Sequence, residues 1–129
     1  MPVRILIVED DQIIAADLRL KLQALGHEVI GIALSGEEAI TMAGQFKPEI
    51  VLMDIQLETA MSGAEAARII RERTGASIIF ITAFSGAAFR GETVGMLDEG
   101  SCVGKPFSQS QLAQAVDTQI RKRSQRYAL

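Results

Sequence analysis

Residues 3–11 read Val3-Arg4-Ile5-Leu6-Ile7-Val8-Glu9-Asp10-Asp11, a nearly unbroken apolar run that ends abruptly in three carboxylates. A half-exposed strand alternates apolar and polar residues, whereas a run like this suits a strand buried on both faces. The pattern recurs along the chain. Ile50-Val51-Leu52-Met53 closes on Asp54, residues 77–81 (SIIFI) close on Thr82-Ala83, and the short run 101–104 closes on Lys105-Pro106. Residues 28–33 (EVIGIA) supply one more strand, the second in chain order.

Between these runs the apolar spacing turns helical. Ile14, Leu18, Leu22 and Leu25 fall on one helix face, and Gly26 supplies the stop. Ser35 with Glu38 three residues on reads as a capping box ahead of Ala39, Ile40, Ala43 and Phe46, and Pro48 breaks that helix. A loop through Gly63 leads to a helix of Ala66, Ala67 and Ile70, closed near Gly75. Residues 86–100 are expected to be helical despite Gly86, Gly91, Gly95 and Gly100, each interior glycine costing about 1 kcal/mol against alanine. Ser108 caps a last helix carrying Leu112, Val116 and Ile120. Five strands alternating with five helices through short connections imply right-handed crossovers. The expected fold is α/β, a three-layer (βα)5 sandwich around a central five-stranded parallel sheet. It reads as one domain over residues 1–129, with a core at about 3–122 and a short basic tail.

Composition narrows the function classes. Thirteen Lys+Arg against sixteen Asp+Glu leave a formal charge of −3, no excess with which to neutralise a polyanion. Arg121, Lys122, Arg123 and Arg126 gather near the end, which reads as a solvated helix terminus rather than a nucleic-acid arm. A single cysteine, Cys102, excludes an internal disulfide and a Cys-based metal site, and reads as a small core or interface residue. The single histidine, His27, is expected in a surface turn after Gly26 and leaves no His-based triad or zinc site. No run approaches a secretory apolar region or a membrane span, so a cytoplasmic protein without membrane or nucleic-acid partners is expected.

In an open parallel sheet, ligands bind beyond the carboxyl ends of the strands at the topological switch point. The polar residues there are Glu9, Asp10, Asp11, Asp54, Thr82 and Lys105. Crowded carboxylates repel unless they share a cation, and an oxygen-only donor set favours Mg²⁺ or Mn²⁺. Asp54 is then the candidate nucleophile for an aspartyl phosphate, with Thr82 and Lys105 suited to the phosphoryl oxygens. Asp11, leading directly into the first helix, reads better as its N-cap than as a ligand.

The strings IVEDD (7–11), VLMDIQL (51–57), FITAF (80–84) and GKPF (104–107), each at a strand end and in this order, resemble the receiver domain of two-component response regulators. The resemblance implies a flavodoxin-like fold with Glu9 and Asp10 as the acidic pair. It further implies Asp54 as phosphoacceptor, Thr82 as the switch hydroxyl and Lys105 as the phosphate-binding lysine. By the same resemblance Mg²⁺ is held by Asp10, Asp54 and the backbone carbonyl of Gln56, and Lys105-Pro106 is a cis peptide. A histidine kinase or histidine phosphotransfer protein would donate the phosphoryl group. The face formed by segment 86–100, the last strand and the last helix would then shift toward a protein target.

Two departures stand out. Cys102 occupies the position of the family's aromatic switch residue. The loop after Asp54, IQLETAMSG, lacks the usual proline and is one residue longer, resembling a receiver subgroup whose members serve signalling kinases or stress-response relays. Phe84 and Gln56 flank the site and are placed to gate water attack on an aspartyl phosphate. The chain reads as a stand-alone receiver or as one excised from a larger protein. The sequence leaves two alternatives. One is a receiver-like interaction module or phosphate sink. The other is a Mg²⁺-dependent aspartyl phosphatase, which needs a second Asp where Gln56 stands.

Overall fold

Strand β1 (Arg4–Val8) lies inside the sheet, between β2 (Glu28–Ala33) and β3 (Ile50–Asp54), and β4 (Ser77–Thr82) and β5 (Cys102–Gly104) extend it beyond β3. The order is β2-β1-β3-β4-β5 and every pairing is parallel. The computed structural model describes residues 2–57, 60–82, 102–104 and 108–127. The helix expected over 86–100 therefore lies outside the described residues, as do Phe84, Lys105 and Pro106.

The apolar runs alternate between two cores although neither face is wet. Ile5, Ile7, Ile50, Leu52, Ile79 and Ile81 pack with Ala15, Leu18 and Leu22 of α1 (Gln12–Ala24) and with Leu112 and Val116 of α4 (Gln109–Tyr127). Leu6, Val8, Val51, Met53, Ile78 and Phe80 pack with Ala39 and Ala43 of α2 (Gly36–Phe46) and with Ala66, Ala67 and Ile70 of α3 (Gly63–Thr74). Small alanines on α2 and α3 let those helices lie close to the large β-branched and aromatic side chains of the sheet. The result is the expected three-layer sandwich. Among the described residues no helix is long and apolar enough to cross a membrane.

Local chemistry sets the helix ends. The Ser35 hydroxyl accepts from the Glu38 N–H at 3.1 Å, while the Glu38 carboxylate reaches back to the Leu34 N–H at 2.7 Å, one residue beyond a standard capping box. Ser108 and Gln111 form the reciprocal pair at the start of α4. Helix α2 stops through Lys47, which adopts a left-handed φ of 50° just ahead of Pro48. Phe46, expected on the apolar face, is 37% exposed where the chain turns away. The basic residues 121–123 lie on α4, which continues to Tyr127. Arg123 is no solvated charge: its guanidinium donates to the Gly75 carbonyl at 3.1 Å and to the Ser77 hydroxyl at 3.2 Å. His27 follows Gly26 as expected but is half-buried, its Nδ1 accepting from the Val3 N–H at 3.2 Å.

Candidate functional site

The order of the strands reverses between β1 and β3, and the crevice between their carboxyl ends is where a parallel sheet offers a binding site. Three successive acids leave β1 there and take different roles. Glu9 is buried, with its N–H donating to the Ala33 carbonyl at 3.0 Å and its Oε2 accepting from the Asp11 N–H at 3.2 Å. Asp10 is half-buried. Asp11 is exposed and caps α1, its Oδ1 accepting from the Ile13 and Ile14 N–H groups at 2.9 and 3.2 Å. Asp11 is thus the N-cap of α1, as its place directly before the helix predicts.

Asp54 is the last residue of β3, in register with Ile81 of β4, and only 3% of it is exposed. Its Oδ1 accepts from the Gln56 N–H at 2.9 Å, and the intervening Ile55 N–H donates to the Ile81 carbonyl at 3.0 Å. The chain thus turns tightly around the carboxylate and leaves Gln56 exposed at the surface. One carboxylate oxygen from each of Glu9, Asp10 and Asp54 lies within 4.8 Å of the others. This all-oxygen, anionic donor set fits a hard divalent cation that keeps part of its water. Buried carboxylates of like sign at this spacing gain from a shared positive charge.

Thr82 follows Ile81 and ends β4, with its backbone in register with Gly104; its side chain lies outside the described residues. Cys102 lies in β5 opposite Phe80, again with its side chain outside them. Lys105 follows Gly104 directly, so its expected approach to Asp54 lies outside the described residues. The structure accordingly brings Glu9, Asp10 and Asp54 together and places the backbone of Thr82 at the same sheet edge.

One participant was not singled out from the sequence. Helix α3 starts at Gly63, directly against the backbone of Asp54, with the Ser62 hydroxyl accepting from the Glu65 N–H at 3.1 Å. The Ser62–Glu65 spacing repeats that of Ser35–Glu38, so the helix start had a readable signal, whereas the contact with Asp54 had none.

The model of the family described as response regulator receiver domain matches residues 5–117. The chain is similar to the phyllosphere-induced regulator PhyR of Methylorubrum extorquens, 34% identical over 117 residues that make up 90% of this chain and 43% of that protein. It is also similar to the transcriptional regulatory protein PdtaR of Mycobacterium tuberculosis, 34% identical over 122 residues, 93% of this chain and 58% of that one. The chain spans about half the length of these curated relatives. Among solved structures, the signal receiver domain of a modulated diguanylate cyclase from Desulfovibrio desulfuricans G20 superposes with a TM-score of 0.90 at 31% identity. That match covers 98% of this chain and 99% of the other. A parallel sheet with an acidic cluster at its switch point and a family match running from β1 into α4 lead to one conclusion: the chain belongs to the response regulator receiver domain family.

Proposed function

We propose that this chain is a phosphorylation-dependent receiver whose phosphoacceptor is Asp54. The carrying observation is the convergence of Glu9, Asp10 and Asp54 within 4.8 Å at the switch point of a receiver-family sheet. The donor is a phosphohistidine on a histidine kinase or histidine phosphotransfer protein. An Asp54 carboxylate oxygen attacks phosphorus, the new P–O bond forms as the P–N bond breaks, and the departing imidazole nitrogen keeps its electron pair or takes a proton from water.

The residues assigned to hold Mg²⁺ (or Mn²⁺) are Glu9, Asp10, Asp54 and the backbone carbonyl of Gln56. When bound there, the cation offsets negative charge on the transferring phosphoryl oxygens. Glu9 is held by the Asp11 N–H and Asp54 by the Gln56 N–H, so two of the carboxylates are oriented by backbone before any ligand arrives. The Thr82 hydroxyl and Lys105 ammonium are assigned to the remaining phosphoryl oxygens. Their rearrangement on phosphorylation is the signal, and it leaves by contact with another protein. Gln56 stands where an aspartyl phosphatase needs its second acid, so the chemistry ends in self-modification and slow hydrolysis rather than turnover of phosphomonoesters.

The test is incubation with a small acyl phosphate and Mg²⁺, followed by intact mass. One acid-stable, base-labile phosphoryl group per chain is expected, absent without a divalent cation and absent in Asp54→Asn. A phosphoryl group that survives Asp54→Asn refutes the assignment. A phosphotransfer profile against histidine kinases of the same cell then identifies the donor.

A further inference from the structure

We propose that Gly63 is a positioning residue for Asp54, holding the phosphoacceptor's backbone in place by having no side chain; the proposal deepens the phosphoryl-acceptor reading and rests on it. Gly63 is the first residue of α3 and has no positive φ, so what is required of it is space rather than an unusual conformation. A Cβ at this position would overlap the Asp54 carbonyl oxygen, well inside the 3.0 Å that Cβ atoms respect. It would also stand 3.1 Å from the Asp54 carbonyl carbon and from Ile55 Cα. All three atoms are backbone, so none can swing aside as the tip of a side chain would.

The peptide that Gly63 presses on is the one that orients the site. Its N–H, on Ile55, donates to the Ile81 carbonyl at 3.0 Å, and the next N–H, on Gln56, donates to Asp54 Oδ1 at 2.9 Å. The 54–55 peptide is thus gripped between β4 on one side and the start of α3 on the other. The α3 start cannot retreat freely, because Ala66, Ala67 and Ile70 pack it into the core against the sheet, and the Ser62 cap on the Glu65 N–H ties the preceding loop to the helix. The same loop is held a second time where Met61 packs on Gly36, the first residue of α2. A Cβ at Gly36 would meet Met61 Cβ at 3.1 Å and Cγ at 3.2 Å, a milder conflict. A methyl group at position 63 must therefore displace either α3 or the 54–55 peptide, and with it the Asp54 carboxylate and the Gln56 carbonyl.

The experiment compares wild type with Gly63→Ala, Gly36→Ala and, as a control, Gly44→Ala, a helical position where a Cβ meets nothing within 4 Å. Three quantities are read on the folded proteins: Mg²⁺ affinity from amide shifts, amide hydrogen exchange at Ile55 and Gln56, and phosphorylation by a small acyl phosphate at saturating Mg²⁺. For Gly63→Ala we expect Mg²⁺ affinity weakened by about tenfold or more, as for loss of groups that orient metal ligands. The maximal phosphorylation rate should fall by a similar factor, with a smaller change in the donor concentration for half-maximal rate. Exchange should quicken at Ile55 and Gln56 while the β1 amides stay protected. Gly36→Ala should fall between wild type and Gly63→Ala, and Gly44→Ala should match wild type. A folded Gly63→Ala with wild-type affinity and maximal rate overturns the proposal. Should Gly63→Ala not fold, Gly36→Ala decides: weakened affinity supports the clamp and unchanged affinity overturns it. If wild type itself accepts no phosphoryl group, the phosphoacceptor reading fails, while the cation and exchange data still judge the clamp.

Discussion

His27 sits at the foot of the sheet, away from the carboxylates, and its environment is set by the Val3 N–H that donates to its Nδ1. Burial is the largest influence on it and pushes its pKa below 6.5; the Asp117 carboxylate pulls the other way without prevailing. The folded chain therefore prefers the neutral imidazole, whose lone pair accepts the bond, and binds fewer protons at this site than the unfolded chain. The stability that His27 contributes is complete above 6.5 and is lost as pH falls through the lower folded value. Denaturant melts between about pH 7.5 and about pH 5 should show wild type losing stability that His27→Gln does not lose. Equal pH slopes would refute this. Phosphorylation of His27→Gln should match wild type, because the bond it alters lies at the opposite end of β1 from Glu9. The turn around His27 was legible in the sequence from Gly26. The partner was not, since Val3 is 24 positions away and joins it only through the β1–β2 pairing.

At the scale of elements, strands buried on both faces were legible because their apolar runs are continuous and each ends in a charged or hydroxyl residue. Helices α1 and α2 were legible from their periodicity and from Asp11 and Ser35, whose side chains do cap them. The end of α4 was not, because a run of Arg and Lys looks the same on a solvated tail as on a helix that anchors through one of them. Arg123 makes such an anchor, reaching across to the corner between α3 and β4. Alanine and arginine have similar helix propensities, so Arg123→Ala tests the anchor rather than the helix. It should cost about 1–2 kcal/mol, because it strips hydrogen bonds from the Gly75 carbonyl and from the buried Ser77. Arg121→Ala, at an exposed position, should stay within about 0.5 kcal/mol of wild type in the same urea titration. Equal effects from the two would show that the corner contact contributes nothing.

For the molecule as a whole, topology concentrates charge that the sequence keeps 45 residues apart. Glu9 and Asp54 end neighbouring strands, and the β1–β3 pairing leaves them no choice but to meet. That is why this part of the site was readable from strand ends alone, whereas the Gly63 contact depends on how closely a helix approaches and leaves no mark in composition. Carboxylates of like sign within 4.8 Å of one another repel unless a cation is shared among them. A divalent cation that binds only the folded state should stabilise it by mass action, by about 3 kcal/mol at a hundredfold excess over its dissociation constant. For a domain of this length the melting temperature should rise by roughly 10 °C. Asp10→Asn/Asp54→Asn keeps the shape of both side chains and a carbonyl oxygen to accept the Gln56 N–H, but removes two of the three charges. It should melt above wild type in chelator and lose most of the response to Mg²⁺. Calorimetric scans of both proteins, in chelator, in Mg²⁺ and in monovalent salt of equal ionic strength, separate site binding from general screening. A wild-type midpoint that moves no further in Mg²⁺ than in the matched salt would mean that the acidic cup binds no cation.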